Sequence, residues 1–204
     1  MNTPQRRQAS LGFTDETFPA GTHMCLIYDD EDERRELIAK YVNAGLREGE
    51  KVSYFADTMP VDEARDWLAG KGVKMPEDDQ LTIASAEETY CPNGTFVPDE
   101  MIDGLGGLYQ GSLDDGYAGV RASGEMSWAL RGIPGSERLI EYENLLNVAF
   151  RTNPLIGLCQ YDARRFDGAV VLDVLKVHPK MIVGGQVLQN PDYMEPEEFL
   201  ASRR

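Results

Sequence analysis

The sequence predicts an α/β domain of three layers, a mainly parallel sheet with helices on both faces. Two observations carry that expectation. Short apolar runs alternate with segments whose apolar residues recur at helical spacing. The stretch "LIGLCQYD" (residues 155–162) is also nearly continuously apolar, as a central strand buried on both sides must be. A chain of 204 residues suffices for one sizeable domain and is short for two. With no repeat or long linker to divide it, residues 21–204 read as a single domain. Residues 1–20 have little periodicity and read as a tail or capping segment.

The elements follow in order. Residues 24–28 ("MCLIY") form a short buried strand. Asp30 with Glu33 three residues later fits a capping box, and acids in the first turn suit the helix dipole. Leu37, Ile38, Tyr41, Val42 and Leu46 then mark a helix with one buried face. Gly49 ends it, and residues 52–56 are the second strand. A helix over 61–69 packs Ala64, Trp67 and Leu68, and residues 81–84 give a third strand. After a Pro-Asn-Gly turn a helix starts near Pro98, a favoured first helical position. Residues 117–121 read as a strand running into a loop that carries Glu125 and Trp128. The helix over 136–150 presents Leu139, Ile140, Tyr142, Leu145, Leu146 and Ala149. Residues 155–162 are the central strand, 167–177 a further helix, "MIVGGQVL" a strand or hairpin, and a short helix follows Glu195.

Composition narrows the partners. The formal net charge of −15 disfavours direct binding to nucleic acid or an anionic membrane, both of which need a cationic surface. No apolar run approaches the roughly 20 residues of a membrane span. The first ten residues are polar and lack the apolar core of a signal peptide, so a cytoplasmic location is expected. Three cysteines, Cys25, Cys91 and Cys159, make a disulfide framework improbable.

The first strand–turn–helix has the layout of a nucleotide-binding unit, but its turn is Asp29-Asp30-Glu31-Asp32-Glu33. No G-x-x-x-x-G-K-[ST] exists in the chain, and five carboxylates would repel a triphosphate, so ATP is not expected. A second constellation is thiol and imidazole. His23 and Cys25 share a strand face. If that strand neighbours the Cys159 strand, His23, Cys25, Cys159 and His178 converge in a set suited to zinc or a similar metal. The same residues fit a cysteine hydrolase with Glu125 or Glu141 orienting a histidine, and both thiols also fit a plain apolar core. Third, Tyr28, Glu125, Met126, Trp128, Gln160 and Tyr161 fall at or beyond predicted strand ends. Ligands of open parallel sheets bind there, so these six are expected to line one small-molecule crevice.

Seven stretches, "GTHMCLIYDDEDE", "YVNAGLREGEKVSYFAD", "GYAGVRASGEMSW", "LIEYENLLN", "LCQYDARRF", "VLKVHPKMIVGG" and "NPDYMEPEEFL", occur in register over residues 21–200. Together they resemble the MEDS family, the methanogen/methylotroph DcmR-type sensory domain. The segment over 24–57 also resembles the start of a RecA/KaiC-type core, here with a degenerate P-loop. The resemblance implies a sensory module for small hydrocarbon-derived molecules, coupled to a transcription or signalling output rather than to catalysis. The family's His-x-Cys pair falls on His23 and Cys25, its Tyr on Tyr28 and its Trp on Trp128. Its Tyr-Glu pair falls on Tyr142 and Glu143, its Cys-Gln-Tyr on Cys159, Gln160 and Tyr161, and its His-Pro on His178 and Pro179. No helix-turn-helix or kinase segment is present in these 204 residues, so output through a separate protein is expected: a kinase, a regulator or a sigma-factor antagonist. The oligomeric alternatives include a homodimer.

Overall fold

The computed structural model describes residues 6–203. A hairpin of β1 (Gln8–Ser10) and β2 (Thr17–Pro19) leads into β3 (His23–Tyr28), α1 (Glu31–Arg47), β4 (Lys51–Ala56), α2 (Val61–Gly70) and β5 (Leu81–Ser85). The short α3 (Ala86–Tyr90) and the longer α4 (Pro98–Asp114) precede β6 (Val120–Glu125). Two 3-10 turns, Met126–Arg131 and Ser136–Arg138, join β6 to α5 (Leu139–Thr152). Then come β7 (Ile156–Asp162), α6 (Gly168–Val177), the pair β8 (Lys180–Val183) and β9 (Gln186–Gln189), and α7 (Pro196–Ser202).

Seven strands form one sheet in the order β5-β4-β6-β7-β3-β8-β9. Every pairing is parallel except the β8–β9 hairpin at one edge. The three-layer, mainly parallel architecture expected from the sequence is therefore what the chain adopts. All residues of β4, β6 and β7 are buried, as strands covered on both faces must be. On one face Leu37, Ile38, Tyr41 and Val42 of α1 pack with Ala64 and Leu68 of α2 and with Ala9, Leu11 and Phe18 of the hairpin. On the other face Tyr90 of α3, Leu105 of α4, Leu139, Tyr142, Leu146 and Phe150 of α5 and Val174 of α6 form a second core.

Local chemistry explains the ends. The Asp30 carboxylate caps α1 by accepting from the backbone N–H groups of Asp32 and Glu33, at 2.8 and 3.0 Å. Asp167 caps α6 in the same way through Ala169 and Val170. Gly49, at φ 72°, makes the left-handed turn from α1 to β4. One strand is displaced from expectation: β6 begins at Val120 rather than 117 and runs on to Glu125. Its polar residues disguise it. Arg121, Ser123 and Glu125 all point to the α1 face, where Arg121 is fully buried against Glu50 at 2.6 Å and the Tyr41 carbonyl at 2.9 Å. The segment expected to be a tail or capping segment carries, within the described residues, the β1–β2 hairpin, paired at Ala9–Phe18 and packed on the core through Ala9, Leu11 and Phe18.

Candidate functional site

Strands β3 and β7 lie side by side and in parallel, with His23 opposite Gly157 and Cys25 opposite Cys159. Residues 23, 25, 157, 159 and 161 all project to the face crossed by α5, because side chains alternate along a strand. There α5 delivers Glu143, and α6 ends so that His178 turns in beside it. Glu143 Oε2 lies 3.2 Å from His23 Nε2 and 3.4 Å from His178 Nε2. The Cys159 thiol donates to the same oxygen at 3.3 Å and sits 3.6 Å from His23 Nε2. The Tyr161 hydroxyl donates to the other carboxylate oxygen. None of these five residues is more than 6% exposed.

The outer nitrogen of each ring is also held. His178 Nδ1 donates to the Val174 carbonyl at 2.8 Å, and His23 Nδ1 lies 3.0 Å from Asn147 Oδ1. Asn147 cannot be turned round without loss, since its amide nitrogen donates to the carbonyls of Glu143 and Val177. Burial, with His178 adding to it, lowers the His23 pKa. Burial pushes Glu143 up, yet the neighbouring His178 and His23 rings outweigh it and hold this carboxyl well below the usual range. The Cys159 thiol is pushed up, by burial first and by Glu143 second.

Three of the four expected ligands, His23, Cys159 and His178, therefore meet. Cys25 does not join them. It shares the strand face, but its thiol lies 3.8 Å from the Lys180 carbonyl at the β8 side, and burial raises its pKa to about 12. Glu143 takes the fourth place. A signal for it was present: at spacings of four, three and four it falls on the stripe Leu139–Glu143–Leu146–Phe150, a charge in the middle of a buried face. Glu141, the other carboxylate weighed with the histidines, is instead paired with Arg138 at 2.7 and 2.9 Å. Cys91 caps α3, away from the group.

The six residues expected to line one crevice separate across the sheet. Tyr28, Glu125 and Gln160 face α1, while Met126, Trp128 and Tyr161 lie in the α5-side core. Gln160 and Tyr161 are consecutive on β7, so one strand cannot aim both at a common ligand. All six are buried. Trp128 stacks on Tyr90 at 4.9 Å and meets Phe96 edge-on at 4.7 Å. On the α1 side the strand ends are filled by a residue the sequence reading passed over. Arg34, fully buried, donates to Glu125 at 2.9 Å, Gln160 at 2.8 Å and Tyr54 at 3.3 Å. Its guanidinium stands 5.3 Å from the Tyr28 ring centre. Glu125 also accepts the backbone N–H groups of Asp57 and Thr58 at 3.0 and 2.6 Å. Burial opposes ionisation of Glu125, but Arg34 and these hydrogen bonds keep its pKa below the ordinary carboxylate value.

An apolar cavity of about 280 Å³ lies between α4, α3 and β4, lined by Phe55, Tyr90, Met101, Leu105 and Leu108 among others. A narrower space of about 20 Å³ continues inward past Phe55, Tyr90 and Leu105 to Tyr142, Phe150 and Cys159. The cavity thus points at the thiol of the His23–Glu143–Cys159–His178 group. Two residues before that thiol on β7, a Cβ at Gly157 would stand 2.8 Å from the Phe150 ring, so a larger residue there requires the ring to shift. Among the described residues no helix is long and apolar enough to cross a membrane.

Comparison with known proteins agrees with this architecture. The family model described as "MEDS: MEthanogen/methylotroph, DcmR Sensory domain" matches residues 22–179. The transcriptional repressor DcmR of Methylorubrum extorquens (strain DSM 6343 / CIP 106787 / DM4) is 30% identical over 166 residues, covering 76% of this chain and 57% of the repressor. The chain thus spans a little over half the length of that relative. The KaiC-like protein PH0186 from Pyrococcus horikoshii OT3 superposes with a TM-score of 0.61 at 14% identity, over 86% of this chain and 79% of that one. The flagellar accessory protein FlaH from Methanocaldococcus jannaschii gives 0.58 at 10% identity, over 88% and 83%. At such identities these likenesses show the fold alone, a RecA/KaiC-like core.

Proposed function

This chain belongs to the MEDS family of sensory domains, and on that premise we propose that it senses a small, largely apolar organic molecule without turning it over. The observation that carries the reading is the cavity under α4. Its walls are mainly aromatic and aliphatic, with Thr89 and Glu100 as polar members, and its inner end narrows to the Cys159 thiol, the usual make-up of a small-molecule site. An apolar cavity of roughly 150 Å³ is enough to bind benzene, so about 280 Å³ accommodates a hydrocarbon derivative of a few more heavy atoms. Occupancy is read by a separate signalling protein, a kinase, regulator or sigma-factor antagonist, that docks on the acidic surface. The net charge of −15 supports a basic patch on that partner. Nucleotide is not the ligand on this reading: the turn after β3 offers carboxylates where phosphates would need N–H groups, and Arg34, Glu125 and Gln160 fill the strand ends beyond it.

Benzene and short-chain alcohols titrated against the protein, with thermal unfolding as readout, test the proposal. Saturation at 100 times Kd stabilises by about 2.7 kcal/mol, which for a chain of this size raises Tm by roughly 5–10 °C. Leu105→Trp, which fills the cavity, should abolish the response. Probes that leave Tm unmoved, or act equally on the filled variant, would refute the site. ATP with magnesium should give a flat calorimetric titration.

A further inference from the structure

With both rings neutral, the group around Glu143 has too few protons for its acceptors. Both outer nitrogens are occupied as donors: His178 Nδ1 toward the Val174 carbonyl and His23 Nδ1 toward Asn147 Oδ1, whose own amide orientation is fixed by two carbonyls. In the neutral rings each Nε2 then carries a lone pair, and both lone pairs face Glu143 Oε2, another acceptor. His178 Nε2 accordingly has no hydrogen-bond partner although it is completely buried. Lone pairs converge in a core only around a positive charge, here either an added proton on a ring, which would then donate to Glu143, or a metal ion held between the ligands.

We propose that His23, Glu143, Cys159 and His178 form a tetrahedral site for a divalent metal of the zinc class. The four ligand atoms all lie within 4.8 Å of one another. Metal bonds of about 2.05 Å to nitrogen or oxygen and about 2.3 Å to sulfur imply tetrahedral edges of about 3.3 Å and about 3.6 Å, respectively. The edges given by the structure are 3.2 Å (His23–Glu143), 3.4 Å (His178–Glu143), 3.3 Å (Cys159–Glu143) and 3.6 Å (Cys159–His23). Charge closes as well. A dication with one thiolate and one carboxylate is neutral, as a fully buried centre requires, and binding releases a single proton, from the Cys159 sulfur to solvent. The supports are those of a metal centre: a carbonyl and an amide oxygen orient the two rings, and the Tyr161 hydroxyl holds the carboxylate oxygen that does not face the metal. Cys25, on the Lys180 carbonyl, stands outside. The site shares Cys159 with the inner end of the space under α4, but its four ligands are held by the protein alone and need no occupant of the cavity.

The test uses cobalt(II), whose spectrum reports geometry and ligands. Because the site is closed, the 204-residue chain is refolded from denaturant with one equivalent of the ion, then desalted. The expected result is one cobalt per chain, with strong tetrahedral d–d bands and a thiolate-to-cobalt charge-transfer band. Cys159→Ser should lose the charge-transfer band and Cys25→Ser should keep it. Asn147→Ala should weaken zinc about 10–100-fold in competition with a chromophoric chelator. Less than a tenth of an equivalent bound by the refolded wild type overturns the proposal. So does a charge-transfer band that survives Cys159→Ser or vanishes with Cys25→Ser. Should Cys159→Ser fail to fold by circular dichroism, the wild-type stoichiometry and the Cys25→Ser spectrum decide the matter. Neither measurement involves the apolar probes, so the two proposals fail separately.

Discussion

Helix α4 roofs the apolar cavity, and it is held loosely. Of its 17 residues only Pro98, Leu105 and Ser112 are buried, and four are glycines, at 104, 106, 107 and 111. Glycine costs about 0.8–1 kcal/mol relative to alanine at each helix-interior position. None of the four has a positive φ, and at Gly104, Gly107 and Gly111 a Cβ would meet nothing within 4 Å. The triple replacement by alanine should therefore stabilise the helix by about 2.5–3 kcal/mol, with no steric charge against it. Two assays read this. Thermal unfolding should rise by roughly 5–12 °C, at 2–4 °C per kcal/mol for a domain of this length. Amide exchange in α4 should slow about 100-fold, since its local opening costs the same extra free energy. Association of an apolar probe should slow in parallel if the probe enters by that opening. A triple variant with unchanged Tm and unchanged α4 exchange would show that the glycines do not set the stability of the roof.

Two further outcomes concern the α1 side of the sheet. Arg34→Met leaves Glu125 buried without its counter-charge and Gln160 Oε1 without a donor, and should cost about 3–5 kcal/mol in urea unfolding; a loss below 1 kcal/mol would refute the assignment of Arg34 as the structural partner of Glu125. The folded pKa of Glu125 is depressed below its unfolded value, so its contribution is fully present above about pH 4.3 and is lost as pH falls through the folded value. Wild-type stability should accordingly fall from about pH 4 downward, and less steeply in Arg34→Met, where the depression is removed; equal slopes in the two proteins would contradict the pairing.

Most of the fold was legible because its cues are local. The cap at Asp30, the Gly49 turn, the Pro98 start and the apolar run over 155–162 each declare themselves within a few residues. What was misplaced depended on partners far away in the chain. The β6 strand reads as polar until Arg121 meets Glu50, 71 residues earlier, and Glu125 meets Arg34, 91 residues earlier. For the candidate site, His23, Cys159 and His178 were identifiable by residue type, but which of two thiols turns inward was not. Cys25 and Cys159 are exact register partners on one face, and only the path of α5 between them and the end of α6 decides it.

Arg34, which was not singled out, and Glu143, which entered only through the family's Tyr-Glu pair and not as a ligand, share one property that sequence does display. Arg34 falls on the stripe Arg34–Ile38–Tyr41 of α1, and Glu143 on the stripe Leu139–Glu143–Leu146–Phe150 of α5. A charge on an apolar stripe is ordinarily read as noise in the periodicity, because a solvated charge is the cheaper arrangement. In a helix whose stripe is otherwise buried that reading fails: the charge has nowhere to go but inward, and a buried charge demands a partner. The two charges have opposite signs and lie on opposite faces of one sheet, so they cannot neutralise each other. Arg34 finds its carboxylate in Glu125. Among the described residues Glu143 finds two imidazoles, a thiol and a hydroxyl but no arginine or lysine. Its counter-charge must therefore come from a proton on its ring neighbours or from a metal ion held by them.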